Sequence, residues 1–168
     1  MLSLLAVTLA LSVDPPQSPA QSSQAAGPGI LITREEREAT LAKQIADNVI
    51  DQPIKAADVP GGRASVAMLH RVKPETSALI HNDVTETYYI LSGSGTMVTG
   101  GSLGADAKPM DLTRLNAGMS QTGTRVGGEP RKVKPGDIII VPAGTPHSFS
   151  ELDGPISYLV YRFEPKSR

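Results

Sequence analysis

The chain has 168 residues, 39% of them hydrophobic, which is enough for one domain with a sizeable core and crowded for two. Sixteen basic residues nearly balance 17 acidic ones with no long basic run, and Trp is absent, which argues against a nucleic-acid groove or an anionic-membrane surface. There is no Cys, so disulfides, thiolate catalysis and Cys-ligated zinc or iron–sulfur sites are excluded.

The first residues, MLSLLAVTLALSV, form an apolar run that stops at DPPQSPAQSSQAAGPG. The run is short of the roughly 20 residues a membrane span needs and has the length of a signal-peptide core. Ser18 and Ala20 supply small residues for cleavage, although no Lys or Arg precedes the apolar stretch. The expectation is a signal peptide over residues 1–20, a secreted or periplasmic chain, and a flexible linker over 21–32 rich in Pro, Ser, Gln, Ala and Gly. A helix is predicted over residues 33–50. Thr33 caps it, Glu36 completes a capping box, and Leu41, Ile45 and Val49 share one face, with Pro53 as the stop. This helix is expected to pack outside a sheet.

From about residue 60 to 165 short β-type runs alternate with Gly and Pro: RASVAMLHRV, SALIH, ETYYILSG, GTMVTG, DIIIVPAG, HSFSEL and ISYLVYRF. Many short strands at near-regular spacing predict an all-β sandwich or barrel. Residues 100–130 hold seven Gly and no strong period, and read as a long loop between barrel strands.

Two segments carry chemistry. In IHNDVTETYYILSGSG, His81 and Glu86 lie just ahead of an aromatic strand and a Gly-Ser-Gly turn. In PGDIIIVPAGTPHSFSE, a buried strand Ile138–Val141 meets a tight corner of Pro142, Gly144 and Pro146, and His147 opens the next strand with Phe149 on its face. Two imidazoles and a carboxylate meeting across a barrel would suit a divalent transition metal with open positions. A lone His on a strand is ordinarily structural, and a lone Glu at a strand start is ordinarily solvated. Tyr88 shares the face of Glu86 by alternation and lines either pocket or core. His70 and Arg71 are further pocket candidates, His70 as a replacement ligand and Arg71 as an anchor for an acidic substrate. Parity does not choose between these two, because Val66 and Met68 favour one face and Ala67 and Leu69 the other.

These segments resemble the two signature motifs of the cupin superfamily. Glu86 and Gly93 stand six residues apart as in the second half of the first motif, and His81 fits its second His. Gly136, Pro142, Gly144 and His147 fall at the spacings of the second motif. Two positions depart: Leu79 stands where the first His belongs and Glu151 where the closing Asn belongs. The resemblance implies a cupin-type double-stranded β-helix (jelly-roll) barrel with one N-terminal helix outside. It implies a site reduced to His81, Glu86 and His147, holding Fe, Mn, Ni or Zn. It also implies a small-molecule ligand and a homodimer. Oxygenase, isomerase and lyase chemistry stay open, as does a non-catalytic ligand-binding barrel. A rival register, His81-Asn82-Asp83 with His147, matches the H-X-D…H triad of 2-oxoglutarate oxygenases, with Arg162 as the loosely placed anchor for the cosubstrate.

Overall fold

The computed structural model describes residues 27–166, so the expected signal peptide and the first part of the linker lie outside the described residues. Helix α1 spans Arg34–Asp47 and strand β1 Asp51–Val59. Strands β2 (Gly62–Arg71), β3 (Ala78–His81), β4 (Thr85–Ser92) and β5 (Gly95–Thr99) follow. Next come β6 (Ser102–Leu103), β7 (Lys108–Asp111), a 3₁₀ turn at Thr113–Leu115, β8 (Met119–Gly123) and β9 (Arg125–Val126). The last four strands are β10 (Glu129–Val133), β11 (Ile138–Val141), β12 (His147–Leu152) and β13 (Ile156–Pro165).

Two antiparallel sheets enclose the core, in the orders β1-β2-β13-β4-β11 and β10-β5-β12-β3-β8-β7. Leaving out β1 and β6 to β9, eight strands remain. Counted one to eight, they run 1-8-3-6 in one sheet and 2-7-4-5 in the other. That is the order of a jelly roll, and the fold is the all-β, cupin-type double-stranded β-helix with one helix outside.

Alternation along the strands sets what faces the core. On β4, Glu86, Tyr88 and Ile90 are buried, while Tyr89 turns outward. On β13, Ile156, Tyr158, Val160 and Arg162 are buried, while Tyr161 and Phe163 are exposed. Ala67 and Leu69 of β2, Met97 of β5 and Phe149 of β12 complete the apolar centre. Fully burying a side chain such as Ile90 or Phe149 stabilises by about 1.5–3 kcal/mol.

Helix α1 begins as its sequence implies: the Glu36 N–H donates to Thr33 Oγ1 at 3.1 Å. The Glu36 carboxylate turns to Lys55 of β1 at 2.8 Å instead of back to the cap. The helix stops at Asp47 because Asn48 takes the left-handed conformation, φ 54°. Its docking face differs from the predicted one. Ile45 and Val49 are exposed, and the fully buried helix residue is Gln44, whose Nε2 donates to the carbonyls of Met68 and Ile50 at 2.8 and 3.1 Å. Pro53 lies inside β1, at a register shift on the edge of the sheet, where no ladder N–H is lost. The predicted loop over 100–130 is also ordered. Strands β7 and β8 extend the second sheet beyond β3, and β6 pairs with β9.

Candidate metal centre

His81 ends β3, Glu86 is the second residue of β4, and His147 opens β12. The two motif corners are stitched together by backbone: the Gly144 N–H donates to the His81 carbonyl at 2.8 Å. Gly144 reaches it at φ +76°, a conformation other residues rarely adopt.

The three side chains meet in the barrel interior, with candidate ligand atoms all within 4.8 Å of one another. The imidazole centroids are 5.3 Å apart. His81 Nε2 lies 3.3 Å from Glu86 Oε1, and His147 Nε2 lies 3.4 Å from Glu86 Oε2. Each ring is oriented from behind. His81 Nδ1 faces the Ala117 carbonyl at 3.0 Å and Ser120 Oγ at 2.9 Å, and His147 Nδ1 faces the Thr145 carbonyl at 3.0 Å. A carbonyl can only accept, so Nδ1 carries the proton in both neutral rings and Nε2 presents a lone pair. Two lone pairs aimed at one buried carboxylate call for a cation between them, either protons or a metal ion. The donor set therefore fits a divalent transition metal.

Glu86 is held twice more. Arg162 Nε donates to Oε1 at 2.7 Å and the Tyr88 hydroxyl to Oε2 at 2.7 Å. Arg162 is itself buried. It also donates to Asp51 Oδ2 at 2.6 Å and to the Leu115 carbonyl at 2.7 Å, which ties the centre to β1 and to the 3₁₀ turn. Burial alone would raise the Glu86 carboxyl, but hydrogen bonds from His147 and His81 in their protonated form and the charge of Arg162 outweigh it and hold the group well below the usual carboxylate range. Burial pushes His147 down, and the adjoining Glu86 carboxylate more than reverses this, leaving it above the ordinary imidazole value. Burial, then the charge of Glu86, drives the Tyr88 hydroxyl well above its usual value.

The other predicted residues divide. Arg71 continues the inward alternation of Ala67 and Leu69, donating through Nε to the Tyr158 hydroxyl at 2.7 Å. His70 lies on the opposite face of β2 and bonds Ser157 Oγ at 2.9 Å, so it does not replace the missing ligand. Phe149 is 1% exposed and stacks near Tyr158, as core and not as pocket wall. Asp83 is exposed and outside the cluster, and the donors of Arg162 are spent inside the protein, so the H-X-D…H register is not the one this fold uses. Leu79 pairs with His147 across β3 and β12 and shares its face. Glu151, at the bulge of β12, accepts from Thr96 Oγ1 at 2.7 Å.

Leu79 borders a cavity of about 740 Å³ between α1, β2 and the 3₁₀ turn, with Arg71, Glu75, Leu112, Leu115 and Thr122 in its walls and none of His81, Glu86 and His147 among them. Two other hollows, of about 610 and 380 Å³, lie near Ile30, Val66 and Tyr161, away from the histidines. Sequence reasoning missed the clasp of Arg162 on Glu86. The available signal was the alternation of Ile156, Tyr158, Val160 and Arg162, which places a cation on an otherwise apolar inner face.

Fold and site together define a cupin-fold domain with a buried His–Glu–His cluster. No protein-family model matches the chain, and no curated protein is similar to it. Solved structures are similar in fold. The protein BH2720 from Bacillus halodurans superposes with TM-score 0.52 at 16% identity, over 84% of this chain and 86% of that one. A double-stranded β-helix protein from Klebsiella pneumoniae gives 0.41 at 13% identity, over 70% and 81%. A cupin superfamily protein from Desulfitobacterium hafniense gives 0.40 at 14% identity, over 68% and 76%. Among the described residues no helix is long and apolar enough to cross a membrane.

Proposed function

We propose that His81, Glu86 and His147 hold a divalent transition ion, Fe, Mn, Ni or Zn, and that the barrel uses it on a small molecule entering by way of the cavity beside Leu79. One observation carries this reading: two Nε2 lone pairs, each fixed by an acceptor behind Nδ1, converge on one buried carboxylate. When bound, the ion supplies Lewis acidity to an oxygen that enters its open positions. The residues of the chain do the rest. Ala117, Ser120 and Thr145 set the tautomers and angles of the rings. Arg162 and Tyr88 fix the plane of the Glu86 carboxylate. Burial of all three ligands keeps bulk water from them.

A second reading is a ligand-binding barrel in which metal is not essential. Its support is Arg162, which already gives Glu86 a buried counter-charge at 2.7 Å. Elemental analysis of the purified chain from residue 21, beside a His147→Ala variant, separates the two. Near-stoichiometric metal in the parent, lost in the variant, establishes the centre. A parent that stays empty after incubation with Fe, Mn, Ni and Zn salts sinks the metal reading.

A further inference from the structure

The cavity beside Leu79 is lined by apolar Leu79, Met110, Leu112 and Leu115 and by charged Arg71 and Glu75. Arg71 is anchored at two of its three nitrogens. Nε donates to the Tyr158 hydroxyl at 2.7 Å and Nη2 pairs with Glu75 Oε1 at 2.9 Å. Nη1 has no hydrogen-bond partner among the described residues. The other oxygen of Glu75 accepts from the Phe149 N–H at 2.8 Å, which moors this pair to the strand that begins at His147. A guanidinium held rigid on two sides loses little freedom when its last N–H group takes an acceptor. The other charges lining the cavity are Asp51, paired with Arg162, and Lys73, so the four charged side chains at the space balance.

We propose that this cavity binds a small organic monocarboxylate, its carboxylate on Arg71 Nη1 and its apolar body against Leu79, Leu112 and Leu115. The inference deepens the functional reading above and rests on it, since Leu79 adjoins His147 and the same molecule would be the one presented to the centre. It can nevertheless be tested separately.

Benzoate and benzyl alcohol differ in little but the charge. Calorimetry should find that the chelator-treated full chain binds benzoate about tenfold or more tighter than the alcohol. Arg71→Met should abolish that preference and leave zinc content unchanged in a chain that melts lower but still folds. If the lone substitution unfolds the chain by stranding Glu75, the pair Arg71→Met with Glu75→Gln removes both charges and is read in its place. Benzoate bound no better than the alcohol, or a preference that survives in both variants, overturns the inference. Benzoate that binds only the zinc-loaded chain, indifferent to Arg71, places the carboxylate on the metal. That result overturns the inference and supports the metal centre. A preference lost with Arg71 in a chain that takes up none of Fe, Mn, Ni and Zn keeps the carboxylate site and ends the metal reading.

Discussion

Replacing Arg162 with Met is the most informative single perturbation of the centre. Met roughly fills the stem of Arg162 but removes a charge that is almost wholly buried, between Glu86 and Asp51. Breaking a buried pair by deleting one partner costs about 3–5 kcal/mol, because the remaining charge keeps its desolvation penalty. The Glu86 side chain is 1% exposed, so solvent screening does not soften its share. The Asp51 side chain, at 15%, recovers part of its hydration. For a domain of this size each kcal/mol lowers the melting temperature by about 2–4 °C, so the metal-free variant should melt roughly 6–20 °C below the parent. Zinc should restore more of the variant's stability than it adds to the parent, since it replaces the missing positive charge beside Glu86. Paired thermal melts in chelator and in excess zinc measure both effects. A loss under about 1 kcal/mol, or identical zinc increments in the two proteins, would refute the claim that Arg162 is the counter-charge of Glu86.

Other expectations follow from the same geometry. Leu79→His should supply a further imidazole opposite His147 and raise zinc affinity about tenfold or more, read by competition with a chromogenic chelator; unchanged affinity would mean that position 79 does not reach the centre. The raised His147 value stabilises the metal-free fold below the unfolded value of about 6.5, and this is lost as pH rises through the folded one. The lowered Glu86 value stabilises above about 4.5, and this is lost as pH falls through the folded one. The metal-free melting temperature should therefore peak between about pH 4.5 and 6.5 and decline toward alkaline pH, and a flat profile from about pH 6 to 8.5 would contradict the assignment. Gly93→Ala should cost at least about 2 kcal/mol in urea unfolding, because Gly93 sits at φ +75° and a Cβ would meet the Pro155 carbonyl oxygen at 2.2 Å; a wild-type midpoint would show that the β4–β5 turn can yield.

The His81, Glu86 and His147 cluster was legible because the positions of these residues are fixed by local turn chemistry. The Glu86 to Gly93 spacing and the Gly136, Pro142, Gly144, His147 corner write strand lengths directly into the sequence. Arg162 was not legible as a partner of Glu86, because their pairing depends on a β13–β4 register spanning 76 residues. The orientation of His70 and Arg71 could not be read because β2 is apolar on both faces: Ala67 and Leu69 fill the core, while Met68, equally buried, lies on the other side of the strand, toward α1. Residues 100–130 gave no period because β7 is exposed throughout and β6 and β9 are two residues long, and strands without a buried face or with so few residues leave no alternation behind. The helix misled for a related reason. Its docking is decided by open backbone carbonyls at Ile50 and Met68, which select Gln44 over the apolar stripe.

Charge bookkeeping ties the departures from the motif to one another. With both rings neutral, Glu86, Asp51 and the Arg162 they share sum to minus one. A divalent ion would then leave the interior with about one uncompensated positive charge, which the low-dielectric core penalises. Two ways out exist. The ion can bind weakly, or an anion can arrive with it. The second is the one that the cavity beside Leu79 and the half-anchored guanidinium of Arg71 are shaped to serve. On this argument metal and carboxylate should bind with positive coupling, each tightening the other by the same factor. Equal zinc affinities with and without saturating benzoate would break that link, even if both sites were real.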